Sequence, residues 1–195
     1  ENTKRDFPFD YELKIKYTIN GDTVTNEYIV TNTGEDKFPF VIGGHPAFNC
    51  PLAKNEKFED YKVVFDKNIT KPCLRPDHHT GLVNVFEKFD EMHGGDTLSL
   101  VHELFEEKDA LIFENCEAKS ATLIGKSGKG VKIEFQDMNN LLIWSAVGNA
   151  PFVALEPWTG LASCNDEDGL FEHKRGMTVL EKDETASFKF KITMI

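Results

Sequence analysis

The stretch Tyr11-Glu-Leu-Lys-Ile-Lys-Tyr-Thr-Ile19, "YELKIKYTI", sets Tyr11, Leu13, Ile15, Tyr17 and Ile19 on one side and Glu12, Lys14, Lys16 and Thr18 on the other. Side chains alternate across an extended backbone, so this two-residue period marks a half-buried β-strand and not a helix. Asn20-Gly21-Asp22 follows as a turn signal and "TVTNEYIVTNT" resumes the strand character, so Leu13 to Thr33 reads as a hairpin. A strand this early in a chain needs neighbours on both sides or some protection of its edge.

Outward from the hairpin the same pattern recurs in "KFEDYKVVFD", "DALIFEN", "SATLIGKSGKGVKIEFQD", "LLIWSAV", "FVALEPW" and the closing "ASFKFKITMI". Gly-rich or Asn/Asp-rich joints separate them, with Ser127-Gly128-Lys129-Gly130 the clearest hairpin joint. The best helical candidate, "LVHELFEEKDA" at Leu100 to Ala110, is short and reads equally as an irregular loop. Many short strands with frequent turns predict an all-β protein, an antiparallel β-sandwich with residues 1–195 in a single domain. Arg75 to Leu100, "RPDHHTGLVNVFEKFDEMHGGDTLSL", reads as a long, partly irregular excursion. Its histidines, His78, His79 and His93, lack the i, i+4 spacing on a helix that favours a metal site, and are expected to be exposed loop residues.

The 195 residues are 40% hydrophobic, enough for a real core, and 22 basic against 33 acidic residues give a net charge of −11. Such a surface repels a phosphate backbone, so no nucleic-acid partner is expected. No apolar segment approaches the roughly 18 residues of a membrane span, and "ENTKRDFPFD" lacks a signal-peptide apolar region. The expectation is a soluble cytoplasmic protein without a membrane partner. Cys50, Cys73, Cys116 and Cys164 are irregularly spaced with no CxxC pair, which predicts free structural thiols and no metal site.

Two stretches hold the candidate chemistry. In "VIGGHPAFNCP", Val41 to Pro51, His45 stands between a glycine pair and Pro46 after the apolar run Phe38 to Ile42. A turn is the favoured reading, since glycines adopt backbone angles that other residues resist; the alternative is a close approach of a ligand with the imidazole held at one angle. In "NAPFVALEPWTGLAS", Asn149 to Ser163, Glu156 ends an apolar run beside Pro157 and Trp158. A carboxylate there has raised proton affinity if it lies in a low-dielectric pocket, or is an ordinary rim glutamate paired with a cation, two readings of equal weight. His45 and Glu156 each end an apolar strand, precede a proline and lie near an aromatic, a pairing suited to general acid–base chemistry at opposite ends of one substrate.

"FPFVIGGHPAFNCP", then "HELFEEKDALIF", then "IWSAVGNAPFVALEPWTGLAS", closed by "KRGMTVLEKDETASFKFKI", together resemble the aldose 1-epimerase, or galactose mutarotase-like, family across nearly the whole chain. The resemblance implies a large antiparallel supersandwich that binds a free aldohexose in an open cleft and needs no metal or redox cofactor. By motif, His45 matches the histidine that protonates the ring oxygen, and Glu156 the glutamate that takes the proton of the anomeric hydroxyl. Asp109 matches an aspartate that hydrogen-bonds the sugar, with a turn acid before a strand as the alternative. Trp158, Phe48 and Asn49 are further substrate-binding candidates, and Trp144 is another aromatic able to stack on a pyranose, although core packing is the commoner fate of such residues.

Family members carry an N-terminal segment before the position matching Glu1 that supplies an arginine and a second histidine. The chain is therefore expected to be an incomplete, C-terminal portion of such a fold, with weak or no activity alone. "GGHPAFN" differs from the "NHSYFNL"-like form of galactose mutarotases, which leaves the preferred hexose open. The rival from another class is a non-catalytic carbohydrate-binding sandwich. A sugar-phosphate enzyme calls for cations at the cleft, and no basic cluster adjoins either motif; a purely structural β-domain makes the paired His and Glu contexts a coincidence.

Overall fold

The computed structural model describes residues 3–106 and 109–195. Two antiparallel sheets and a two-stranded ribbon make up nearly all of the regular structure. The first sheet has seven strands in the spatial order Tyr11–Asn20, Thr23–Asn32, Thr185–Met194, Gly130–Glu134, Ser120–Gly125, Tyr61–Phe65 and Thr97–Ser99. The second has six: Ala47–Asn49, Phe152–Trp158, Asn140–Trp144, Leu111–Phe113, Cys73–Pro76 and Val83–Phe89. Alternation explains how they pack. Tyr61, Val63, Phe65, Leu123 and Ile133 of the first sheet and Leu141, Ile143, Val153 and Leu155 of the second belong to one buried apolar cluster, which makes the molecule a β-sandwich.

The ribbon pairs Phe38–Phe40 with Thr178–Leu180, and with Val30 it forms a smaller apolar cluster capped by Phe7 and Phe9. All four cysteines are free and buried, as their spacing predicts. Burial raises the Cys50 thiol to about 12, so it stays protonated and unreactive.

The hairpin forms with Leu13 opposite Val30 and Ile15 opposite Tyr28, joined by the two-residue loop Gly21-Asp22 in which Gly21 has φ +57°. Its first strand departs from the expectation. All ten residues of Tyr11–Asn20 are exposed, with Tyr17 at 67% and Ile19 at 76%. The alternation is intact, but this is the outermost strand of its sheet: Tyr11 packs on Phe38 and Phe7, while Leu13, Ile15, Tyr17 and Ile19 of the same face stay exposed. Periodicity reveals which side chains share a face; burial depends on what lies opposite.

The closing strand pairs with Thr23–Asn32 on one side and Gly130–Glu134 on the other, which draws the chain end into the sheet. Within Leu100 to Ala110 only Glu103–Glu106 is helical, while Glu107 and Lys108 lie outside the described residues. The Arg75–Leu100 excursion is more ordered than its composition suggests. It holds an edge strand of each sheet, Val83–Phe89 and Thr97–Ser99, and so carries the chain from one layer to the other. His78, His79 and His93 are exposed, as predicted for that stretch.

Candidate active site

The strand Phe152–Trp158 divides its side chains between two environments. Val153 and Leu155 point into the inter-sheet core, which sends Ala154, Glu156 and Trp158 to the outer face of the six-stranded sheet. Glu156 lies opposite Leu142, which lies opposite Ile112, which pairs with Leu74, so the carboxylate ends a row that is otherwise aliphatic. Its residue exposure is 2%. Burial, with a smaller contribution from the negative charge of Asp109, raises the Glu156 carboxyl to about 7. Of the two sequence readings, the structure supports the low-dielectric pocket: the group within reach is His45, whose Nε2 lies 3.3 Å from Glu156 Oε1.

His45 comes from the segment running antiparallel beside this strand. Thr159 N donates to Ile42 O at 2.9 Å, Gly44 N to Pro157 O at 3.0 Å, Leu155 N to Pro46 O at 3.1 Å and Cys50 N to Pro151 O at 3.0 Å. The glycine-histidine-proline stretch is thus an irregular sheet edge and not the turn that its composition favours. Neither Gly43 nor Gly44 adopts a left-handed φ; a close approach is what requires them. A Cβ on Gly43 would sit 2.3 Å from Trp158 Cδ1, and one on Gly44 2.5 Å from Phe190 Cε1. Trp158 lies against Gly43 and its indole N–H donates to Gly44 O at 3.1 Å, which fixes the ring. What approaches the glycines closely is aromatic: Trp158 at Gly43 and Phe190 at Gly44.

Asp109 enters from the start of the strand Leu111–Phe113 with φ +55°, a left-handed conformation that Asp tolerates better than most residues. Its Oδ1 accepts from the indole N–H of Trp144 at 2.7 Å. The Trp144 ring also packs edge-on against His45, centroids 5.7 Å apart at 88°, and against Phe152 at 5.4 Å. A cleft of about 230 Å³ is lined by His45, Asp109, Trp144, Glu156 and Trp158, with aliphatic and small residues from the neighbouring strands. A cavity of about 360 Å³ adjoins it and shares His45, Trp158 and Ala162. Among the described residues neither is lined by lysine or arginine. Arg75 is committed to Glu91 at 2.5 Å and stacks on Phe89, Lys174 pairs with Glu167, and Arg175 with Glu114 and Asp166.

The structure therefore brings together His45, Glu156, Asp109 and Trp158. Phe48 is a correction: it pairs with Val153 and packs on the inter-sheet core, so its ring faces away from Glu156 and offers no surface to a sugar in this cleft. Asn49 is exposed beside Phe152 at the sheet edge and does not line the cleft. Sequence reasoning missed the contribution of the Arg75–Leu100 excursion, from which Pro76, Gly81 and Val83 line the cleft. No pattern in that stretch marks them. No group of three or more His, Cys, Asp or Glu among the described residues is arranged to hold a metal ion, and no helix among them is long and apolar enough to cross a membrane.

A family model described as aldose 1-epimerase matches residues 1–193. The plasmid and chromosomal forms of protein LacX from Lactococcus lactis subsp. lactis are each 36% identical over 191 residues, which cover 96% of this chain and 63% of theirs. Among solved structures, a galactose mutarotase related enzyme from Lactobacillus acidophilus superposes with a TM-score of 0.90 at 26% identity, over 100% of this chain and 65% of that one. A galactose mutarotase-like protein from Lactobacillus casei ATCC 334 gives a TM-score of 0.84 at 28% identity, over 100% and 66%. The sandwich is that of these galactose mutarotase-like neighbours, and the chain spans 63% of the length of the LacX proteins it matches.

Proposed function

We propose, because this chain belongs to the aldose 1-epimerase family, that its cleft interconverts the α and β anomers of a free hexose by acid–base ring opening and reclosure. The observation that carries the reading is the pair His45 and Glu156, 3.3 Å apart at the foot of one cleft. Both oxygens involved, the anomeric hydroxyl and the ring oxygen, are bonded to C1. Their proton partners therefore belong side by side and not at opposite ends of the substrate.

Glu156 removes the proton from the C1 hydroxyl while His45 donates one to the ring oxygen. The C1–O5 bond breaks, and C1 becomes the carbonyl carbon of a free aldehyde. Rotation about C1–C2 presents the other carbonyl face, O5 attacks it, and both protons return. The sequence is redox-neutral and leaves each side chain as it began. A carboxyl raised to about 7 suits the task, because it is ionised in substantial fraction at neutral pH yet basic enough to accept the proton. Asp109 accepts a hydrogen bond from a sugar hydroxyl, and the fixed face of Trp158 lies along the apolar side of the pyranose. The absence of Lys and Arg from the lining among the described residues supports a neutral sugar over a phosphorylated one.

Exchange NMR on equilibrated glucose, galactose and a panel of other aldoses tests this, with the 195-residue chain and a version lengthened to the span of its relatives. Acceleration of anomer exchange over buffer, reduced at least 100-fold by Glu156→Gln and by His45→Ala, is the expected result. Saturable sugar binding with no acceleration of any aldose would make the protein a carbohydrate-binding sandwich.

A further inference from the structure

Trp144 stands apart from the other aromatic residues of the cleft because it contacts two of the polar groups at once. Its indole N–H donates to Asp109 Oδ1 at 2.7 Å, and the same ring meets the imidazole of His45 edge-on. Trp144 lies opposite Ala154, whose small side chain leaves room above the sheet for the indole, and Phe152 closes its other flank. The Asp109 backbone is left-handed and its N–H donates to Phe105 O at 2.9 Å, but among the described residues its carboxylate bonds to a side chain only through Trp144.

We infer that Trp144 is a positioning residue: its N–H holds the Asp109 carboxylate towards the cleft, at a fixed place relative to Glu156 and His45. This deepens the epimerase reading, on which Asp109's role towards sugar rests, and adds a structural claim that stands without it. The titratable groups facing Glu156 are His45 from the sheet edge and Asp109. Leu142 and Ile112 beside it are apolar, and no other titratable residue lines the cleft among the described residues. The charge of Asp109 is one of the two causes that keep Glu156 protonated to higher pH. A carboxylate released from Trp144 turns towards water, where its field at Glu156 is screened.

The test is a titration of the Glu156 side-chain carboxyl by carbon-13 NMR in the wild type, Trp144→Phe, Asp109→Asn and the double variant. Phenylalanine keeps an aromatic ring against His45 and Phe152 but has no donor. The expected result is a lower Glu156 midpoint in Trp144→Phe, in the same direction as Asp109→Asn, with no further fall in the double variant. If Trp144→Phe does not fold, Trp144→benzothienylalanine keeps the bicyclic shape with sulfur in place of the N–H and serves the same comparison. A Glu156 midpoint unchanged by loss of the donor overturns the inference, whatever Asp109→Asn does. Sugar kinetics run separately: a protein that accelerates no aldose yet shows the predicted shifts refutes the epimerase reading and leaves the positioning role intact. Where activity is present, Trp144→Phe raises KM several-fold and moves the acid limb of the pH profile down, a change that mere loss of packing does not produce.

Discussion

A carboxyl group with 2% exposure, raised to about 7 chiefly by burial, opposes folding whenever it is ionised. The folded state binds the Glu156 proton more tightly than the unfolded chain does. This contribution is therefore most favourable below the unfolded value of about 4.5 and is lost as pH rises through about 7. The shift corresponds to about 3 kcal/mol. Glu156→Gln removes the titration, so the variant gains stability relative to the wild type between pH 5 and pH 8, by up to about 3 kcal/mol. Urea unfolding at the two pH values measures it. An equal difference at both would mean that Glu156 ionises freely in the folded protein.

At the scale of the strand, the site depends on one segment lying unusually close to another. Gly43 admits the Trp158 ring where any Cβ would collide with it at 2.3 Å. Gly43→Ala therefore displaces Trp158 or the sheet edge, costs about 1–3 kcal/mol by overpacking, and shifts the tryptophan fluorescence. Unchanged fluorescence and unchanged urea stability would show that the edge yields freely. This element also marks how far the sequence is legible. The outer-face position of Glu156 follows from alternation through Phe152 to Trp158, and a partner for it was foreseeable in His45. The edge pairing of His45 was not, because glycine before proline carries the same local signature in a turn as in a sheet edge packed under an aromatic ring. Phe48 failed as a sugar-facing candidate for a related reason: its face is set by pairing with Val153 across strands about a hundred residues apart in sequence. Asp109 has no periodic signal at all, and Trp144 reads as core or site until the partner of its N–H is known.

At the scale of the molecule, two sheets bury a shared core, the catalytic candidates sit on the outer face of one, and the outermost strand of the other leaves its apolar face beyond Tyr11 in water. Leu13, Ile15, Tyr17 and Ile19 form a contiguous exposed row. The 195-residue chain is predicted to bind the apolar dye ANS and to lose solubility at high concentration, and Ile15→Lys with Ile19→Lys is predicted to lessen both without lowering the melting temperature. Dye binding unaffected by the two substitutions would place the exposed apolar surface elsewhere. His45 and Glu156 lie on the other sheet, so their chemistry is separable from the behaviour of this face.

The most direct test of the central claim, that Glu156 is the base of a ring-opening pair, is the pH dependence of anomer exchange measured by NMR in the wild type and in Glu156→Gln. The account predicts a kcat/KM that rises with pH through a midpoint near 7 and loses that limb, with most of its magnitude, in the variant. Exchange that remains equally fast in Glu156→Gln, with the same pH limb, would contradict it and assign the proton transfer to another group.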